Sequence, residues 1–575
     1  MTYRAPVNEI MLSMAHNAGL DQAIKSGLYA DMDTDSLRAI LEEAGKFAAD
    51  ILAPLNQTGD SNPVKLGPNG VETAPGWRNA YAKFVEGGWS TVSGSTDHGG
   101  MGLPELVAAA ITEMWNSANL AFGLCPLLSI GAIHALEAHG SQALQGQYLE
   151  KLISGQWTGT MNLTEPNAGS DLSPMRTKAE RVGDGTYKIT GQKIYITYGD
   201  HDMAENIVHL VLARLPGAPA GTRGISLFLV PKFMVNADGS LGARNDAFCA
   251  SLEHKLGIHA SPTCTMVFGD KGGATGYLIG EENKGLACMF TMMNSARLGV
   301  GIQGVALAER ATQQALLYAA DRRQGKALGD PAPISTIIHH PDVQRMLLTM
   351  QSQTRAARAL CLMTAASIDI ANLSSDATAK KQASERAGLL TPIAKAFSTD
   401  IANEVTSLNV QVHGGMGFIE GTGAAQHMRD ARILAIYEGT NGIQAIDLVQ
   451  RKLPLGGGEA IRLEIAHARA IIAKIPHEPA FGHSAARLTA AVDAMQQATE
   501  FLTVAPPQAA LAGATAYLRI CGLALGGAAL AAEATGENSS QNIRLCRFFA
   551  EHLSTAAPGL ALSVISGADA VGEVA

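Results

Sequence analysis

The 575-residue sequence is short of charge, of aromatic side chains and of paired cysteines. Charged residues make up 17% and aromatic ones 5%, against 47% hydrophobic, which argues against disorder and for a compact, well-buried, largely helical enzyme. Positive charge is not in excess. A formal net charge of −9 argues against nucleic acid as a partner and leaves only local basic patches for small anionic ligands. The seven cysteines (Cys125, Cys249, Cys264, Cys288, Cys361, Cys521 and Cys546) include no C-x-x-C pair, so neither a zinc site nor a disulfide framework is indicated, and a reducing cytoplasm fits best. The opening MTYRAPVNEIMLSMAHNAG lacks the uninterrupted apolar stretch of an export signal. The most apolar later stretch, Ile520 to Ala532, runs 13 residues without charge. That is too short to span a bilayer and rich in the Ala and Gly that suit close helix packing, so no transmembrane segment is expected.

The length is enough for roughly four average domains. Residues 1–158 read as an N-terminal helical domain, with apolar helical spacing through SLRAILEEAGKFAADIL, ELVAAAITEMW and HALEAHGSQALQGQYLEKLI. Residues 159–280 change texture: YKITGQKIYIT, NIVHLVLAR, GISLFLV and CTMVFGD are short β-branched runs between Gly, Pro, Asp and Asn, predicting a small antiparallel β domain. Residues 281–453 predict a helical bundle, with long helices over roughly Ser295 to Gln324, Pro341 to Leu373 and Ala379 to Val412 and a fourth starting near Asn441. The break Leu453-Pro454-Leu455-Gly456-Gly457-Gly458 then opens an appended helical domain over 454–575.

Four segments carry candidate chemistry. Met161-Asn162-Leu163-Thr164-Glu165-Pro166-Asn167-Ala168-Gly169-Ser170-Asp171 clusters polar groups where the helical domain gives way to the β domain, and such a loop can present hydroxyls and N–H groups to a planar polar ring. An ordinary turn is the alternative. Tyr195 and Thr197, two apart in Gly191-Gln192-Lys193-Ile194-Tyr195-Ile196-Thr197, would share one strand face, although a strand Tyr is more often a packing residue. Gln411-Val412-His413-Gly414-Gly415-Met416-Gly417-Phe418 places glycines after a helix, where a backbone can approach a pyrophosphate; a simple helix stop reads from the same residues. In Arg432-Ile433-Leu434-Ala435-Ile436-Tyr437-Glu438-Gly439-Thr440-Asn441, one carboxylate is isolated among apolar neighbours. Burial raises a carboxylate's pKa toward the range of a general base, worth about 10²–10⁴ in rate, while a Glu favouring a helix N-terminus is the plainer reading.

Taken together and in this order, TEPNAGSD, the strand ending Tyr195-Ile196-Thr197, HGGMG and Tyr437-Glu438-Gly439-Thr440 closely resemble the acyl-CoA dehydrogenase family over about residues 35–453. The Tyr-Arg-Ala-Pro-Val start, the Ala296-Arg297-Leu298-Gly299-Val300-Gly301 segment and the C-terminal extension resemble its 3-methylthiopropanoyl-CoA dehydrogenase subgroup. The resemblance implies an α+β, mostly α fold: an N-terminal helical domain, a middle β-barrel-like domain and a C-terminal four-helix bundle, here with an additional helical domain. It implies FAD, held by Met161, Leu163, Thr164, Ser170, Tyr195, Thr197, Arg322 and Thr440, with Gln411, Gly414 and Gly415 reaching the neighbouring subunit's cofactor, hence a homo-oligomer, which the C-terminal extension tilts toward a homodimer. Tyr195 stands where many relatives carry Trp, and Gly442 where a polar contact is usual.

By the same resemblance Glu438 takes the α-proton of an acyl-CoA thioester as hydride leaves the β-carbon for the flavin, giving a trans-2-enoyl-CoA. Ser170, Asn294, Arg297, Tyr437 and Gly439 would meet the substrate, Asn294 standing in for the usual Asp, and an electron-transfer flavoprotein would take the electrons. Some relatives place the base on the helix containing Asn294 to Arg297, but Met292 through Gly304 holds no carboxylate. No metal is implied. Two rivals share the fold: an acyl-CoA oxidase that reoxidises its flavin with oxygen, and a DNA-binding alkylation-response relative. The second expects a basic C-terminal region, whereas Gly456 to Ala575 holds seven Lys/Arg against ten Asp/Glu, a net of −3.

Overall fold

The computed structural model describes residues 3–29 and 32–571, which divide into two compact units. One is Asp50–Leu103 with Ala118–Ala296, the other Met1–Ala49 with Pro104–Ser117 and Arg297–Ala575.

The first unit is built on an eight-stranded sheet. Its strands run in the order Ala247–Leu252, Thr263–Phe268, Tyr187–Thr197, Ala274–Ile279, Ile225–Pro231, Asn206–Arg214 and Trp157–Asn162. Lys178–Arg181 pairs with both Tyr187–Thr197 and Asn206–Arg214, closing five of the strands into a ring. The sheet is not wholly antiparallel as expected: Trp157–Asn162 lies parallel to Asn206–Arg214, Thr160 facing His209. The residues Met161 and Asn162, expected in a loop, therefore end a strand.

Asn206–Arg214 is buried almost throughout because both its faces are covered. Its one interior imidazole is satisfied by that parallel neighbour, His209 Nδ1 lying 2.8 Å from Thr160 Oγ1. One face packs with Leu136, Tyr148, Leu152 and Trp157, the other with Ile189, Phe228, Val230 and Phe268.

The second unit is helical. Pro341 opens Pro341–Leu373, where its missing N–H costs nothing, and Ala377–His413 follows after a three-residue link. The fourth bundle helix begins at Asn441 as expected, with seven α-helical residues to Asp447 and a wider π turn from Leu448 to Lys452. The appended helices Glu459–Ile472, Ser484–Val504, Pro507–Gly536, Ser540–Phe548 and Ala557–Ser566 complete the unit. Pro507–Gly536 lies close to the bundle through glycines. A Cβ on Gly522 would stand 2.1 Å from the Phe397 ring, and one on Gly526 2.9 Å from Ala356 Cβ. The buried Arg355 donates to Glu533 Oε2 (2.5 Å) and Asn542 Oδ1 (2.9 Å), joining bundle to extension by a desolvated pair.

Ile520 to Ala532 thus belongs to a 30-residue helix, which corrects the length argument against a membrane span. Four helices among the described residues are long and apolar enough to cross a bilayer, Pro507–Gly536 included, but 67% of its most apolar window is buried within the protein.

Candidate active site

The site residues expected from the sequence fall into two sets, one in each unit. In the sheet unit, the loop after Trp157–Asn162 lies against the strand Tyr187–Thr197, with Ile194 N donating to Thr164 O at 2.9 Å. Lys193, wholly buried, donates to Leu163 O (3.1 Å) and to Glu165 Oε1 (2.8 Å). Glu165 also accepts from Arg176 N, Thr177 N and Thr177 Oγ1. Met161, Leu163 and Thr164 keep partial exposure, Ser170 is exposed, and Asn162, Glu165 and Ala168 face inward.

The strand is irregular at Tyr195. Ile196 faces Cys264 and Lys193 faces Met266, leaving Ile194 and Tyr195 opposite Thr265 alone, a bulge that gives Tyr195 a φ of 60° and leaves it 59% exposed. Lys193 and Ile196 are both buried on either side of it, so the bulge breaks the alternation before Tyr195 and turns Tyr195 and Thr197 to the face opposite Lys193.

In the helical unit, Glu438 sits between the tight turn Arg432–Ala435 and the helix Asn441–Asp447. Its φ is 54° and that of Gly439 is 83°, a left-handed pair in which only the second residue is a glycine. Thr440 caps the helix, its Oγ1 accepting from Ile443 N at 3.2 Å, and Gln444 Nε2 donates to the carbonyls of Glu438 (3.3 Å) and Gly439 (3.2 Å). Burial pushes the half-buried Glu438 carboxyl up to about 7, against the pull of the Arg297 and Lys395 charges. Arg297 is itself buried and lies 3.7 Å from Asp447. The Tyr437 hydroxyl donates to Gln303 Oε1 at 2.5 Å, and Gln303 donates to Asn116 Oδ1 at 3.3 Å.

Four family models match this chain in sequence: the acyl-CoA dehydrogenase N-terminal domain over residues 34–156, its middle domain over 160–271, its C-terminal domain over 283–453, and an acetyl-CoA dehydrogenase C-terminal-like model over 463–575. The chain belongs to the acyl-CoA dehydrogenase family. It is 49% identical to a 3-methylmercaptopropionyl-CoA dehydrogenase of Ruegeria pomeroyi, over 93% of this chain and 92% of that one. It is 30% identical to the CarC subunit of the caffeyl-CoA reductase–Etf complex of Acetobacterium woodii, over 70% and 89%. In fold it resembles Caenorhabditis elegans ACDH-11, solved with C11-CoA, with a TM-score of 0.77 at 18% identity over 96% of this chain and 92% of that one.

Acyl-CoA dehydrogenases are FAD-dependent oxidoreductases, and several features of this chain fit such a group. The side-chain hydroxyls of Thr164, Ser170 and Thr197 are not engaged among the described residues. Gly414 and Gly415 would have nothing within 4 Å of an added Cβ, whereas one on Gly417 would lie 2.3 Å from Val410 O. Packing within the chain therefore demands Gly417, while the bare backbone at Gly415 suits approach from outside. Gln411 and Arg322 are exposed, with Arg322 held by its backbone to Tyr318 and Ile337. Asn294 is exposed on the long helix Gly285–Asp321.

Sequence reasoning missed two residues, Lys193 and Lys395. Lys395 is wholly buried, and burial drives its ammonium down to about 7. The only sequence signal was a lysine within an otherwise apolar helical run, ThrProIleAlaLysAlaPhe, at an interior position.

Proposed function

We propose that the chain catalyses the α,β-dehydrogenation of an acyl-CoA thioester with bound FAD, Glu438 being the base. The observation that carries the reading is Glu438 itself, a carboxylate on a left-handed turn, brought by burial to about 7, where it can take a proton and release it near neutral pH. FAD, when bound, supplies the hydride acceptor. Met161, Leu163, Thr164, Ser170, Tyr195 and Thr197 would line it, Arg322 and Thr440 would meet its remaining parts, and Gln411, Gly414 and Gly415 would reach the FAD of a second copy. Glu438 presents its backbone N–H to the thioester carbonyl, which acidifies the α-carbon, and its carboxylate to the α-proton. Asn294, Arg297, Tyr437, Gly439 and Ser170 would orient the acyl-CoA, so that two C–H bonds break in a fixed geometry.

The substrate is 3-methylthiopropanoyl-CoA or a short- to medium-chain acyl-CoA, a reading supported by the name of the Ruegeria relative. An electron-transfer flavoprotein takes the electrons, as the Etf-complex name of the Acetobacterium relative suggests. The protein works as a cytoplasmic homodimer. Met416, Phe418 (84% exposed) and Ile419, apolar side chains beside the open glycines, supply the kind of surface a second copy covers. The test is an anaerobic titration of the FAD-loaded protein with butanoyl-, octanoyl- and 3-methylthiopropanoyl-CoA. Bleaching of the flavin band is expected; FAD-loaded protein that none of them bleaches removes the reading.

A further inference from the structure

A buried ammonium is costly unless every N–H has a partner, and a methionine would fill the same apolar volume without that cost. Lys395, with no exposed surface, has three partners, all on one short stretch of chain: Leu434 O at 2.9 Å, Gly439 O at 3.0 Å and Asn441 Oδ1 at 2.9 Å. None is a carboxylate. Asn441 is gripped in turn by the same helix, its Nδ2 donating to Asp400 Oδ1 (2.7 Å), Thr399 Oγ1 (3.0 Å) and Ala396 O (3.3 Å). Residues 395–400 thus clamp the chain on both sides of Glu438. That residue needs a clamp. A non-glycine side chain in the left-handed region is strained, and such a turn persists only where its surroundings over-determine it. The Gly439 carbonyl, next to the base, accepts from both Lys395 Nζ and Gln444 Nε2.

We propose that Lys395 is a positioning residue for the base: its ammonium holds the left-handed turn that aims the Glu438 carboxylate, and its charge acts on that carboxylate. The proposal rests on Glu438 being the base. The charges that face Lys395 are Glu438 on the turn, Asp400 on its own helix and Arg297 on the helix Gly285–Asp321; those that act on Glu438 against its burial are Arg297 and Lys395. Losing the Lys395 charge removes one of two groups that favour ionised Glu438, so the proton on Glu438 is held to higher pH.

The test uses the full-length FAD holoenzyme and single-turnover bleaching by the best acyl-CoA across pH. Lys395→Met is expected to keep its FAD, to lose about a hundredfold in limiting reduction rate with substrate affinity within about threefold, and to shift the acid limb of the rate profile upward. A merely structural role would move none of that limb. Wild-type rate with an unmoved limb overturns the proposal. If Lys395→Met fails to fold or to bind FAD, Asn441→Ser decides: a limiting rate lowered about tenfold at unchanged substrate affinity supports the clamp, and an unchanged rate overturns it. Glu438→Gln separates the two readings. If it is reduced as fast as wild type, the base assignment falls; if it is inert while Lys395→Met behaves as wild type, only the positioning role falls.

Discussion

Each unit holds its site loop with a fully buried lysine, and the two lysines differ in what neutralises them. Lys193 touches a carboxylate: burial moves its ammonium down to about 8, while Glu165, which burial alone would raise, is held below its ordinary range by Lys193 and the Thr177 and Arg176 donors. The pair is ionised and closed on itself. Lys395 touches only carbonyl and amide oxygens, so its charge is left to act on Glu438, Asp400 and Arg297 at longer range. Under the proposed function, the same residue type thus serves stability in one place and the poise of a base in the other. A contact ion pair is screened by its own partner; an ammonium bonded to neutral oxygens projects its field onto whatever charge stands near.

The contrast is sharpest at Glu438. Glu438→Gln is expected to keep yellow FAD and lose about 10²–10⁴ in substrate-driven reduction. The wild-type rate should climb with pH toward about 7 as Glu438 loses its proton and fall again at higher pH as Lys395, also brought by burial to about 7, loses its own, and the Gln variant should show no climbing limb. At the other lysine the expected loss is in stability. Lys193→Met leaves Glu165 buried without its cation and should cost about 3–5 kcal/mol in denaturant unfolding, more than Lys395→Met, which strands no contact carboxylate. A larger loss from Lys395→Met would break the comparison. A smaller effect separates the glycines of the HGGMG segment. Gly417→Ala forces a Cβ against Val410 O and should cost about 1–3 kcal/mol, whereas Gly415→Ala should leave the melting temperature alone and weaken FAD retention or self-association.

Where a feature is local, the sequence displays it. The helix Pro341–Leu373 runs between the bounds its pattern predicts, because the proline start and the long proline-free run lie within one segment. The isolation of Glu438 was legible because a single carboxylate among apolar residues is a local fact. The strand Trp157–Asn162 was not, since what makes it a strand is parallel pairing with Asn206–Arg214, some fifty residues on. Nor were the lysines. Lys395 acquires meaning only when Leu434, Gly439 and Asn441 fold onto it, and Lys193 only when Leu163 and Glu165 do. The expectation of a regular alternating strand through Tyr195 failed for the same reason: the bulge appears only in the register against the partner strand, where Ile194 and Tyr195 share Thr265.

Tyr195 supplies the mildest test of how far local strain serves the site. Its left-handed backbone costs about 1–2 kcal/mol, and with 59% of the residue exposed the ring returns little by burial within the chain. Tyr195→Gly removes that strain and adds about 0.5–1 kcal/mol of unfolded-state entropy, so the unit should gain on the order of 0.5 kcal/mol. Under the proposed function the same change deletes a ring that stacks against the flavin, and FAD should leave the variant faster than the wild type. A tighter fold with weaker cofactor retention would mean that the bulge is kept for what it presents. A weaker fold with unchanged retention would mean that the ring packs within its own unit, and the flavin wall would then have to be assigned to Thr164 and Thr197 without it.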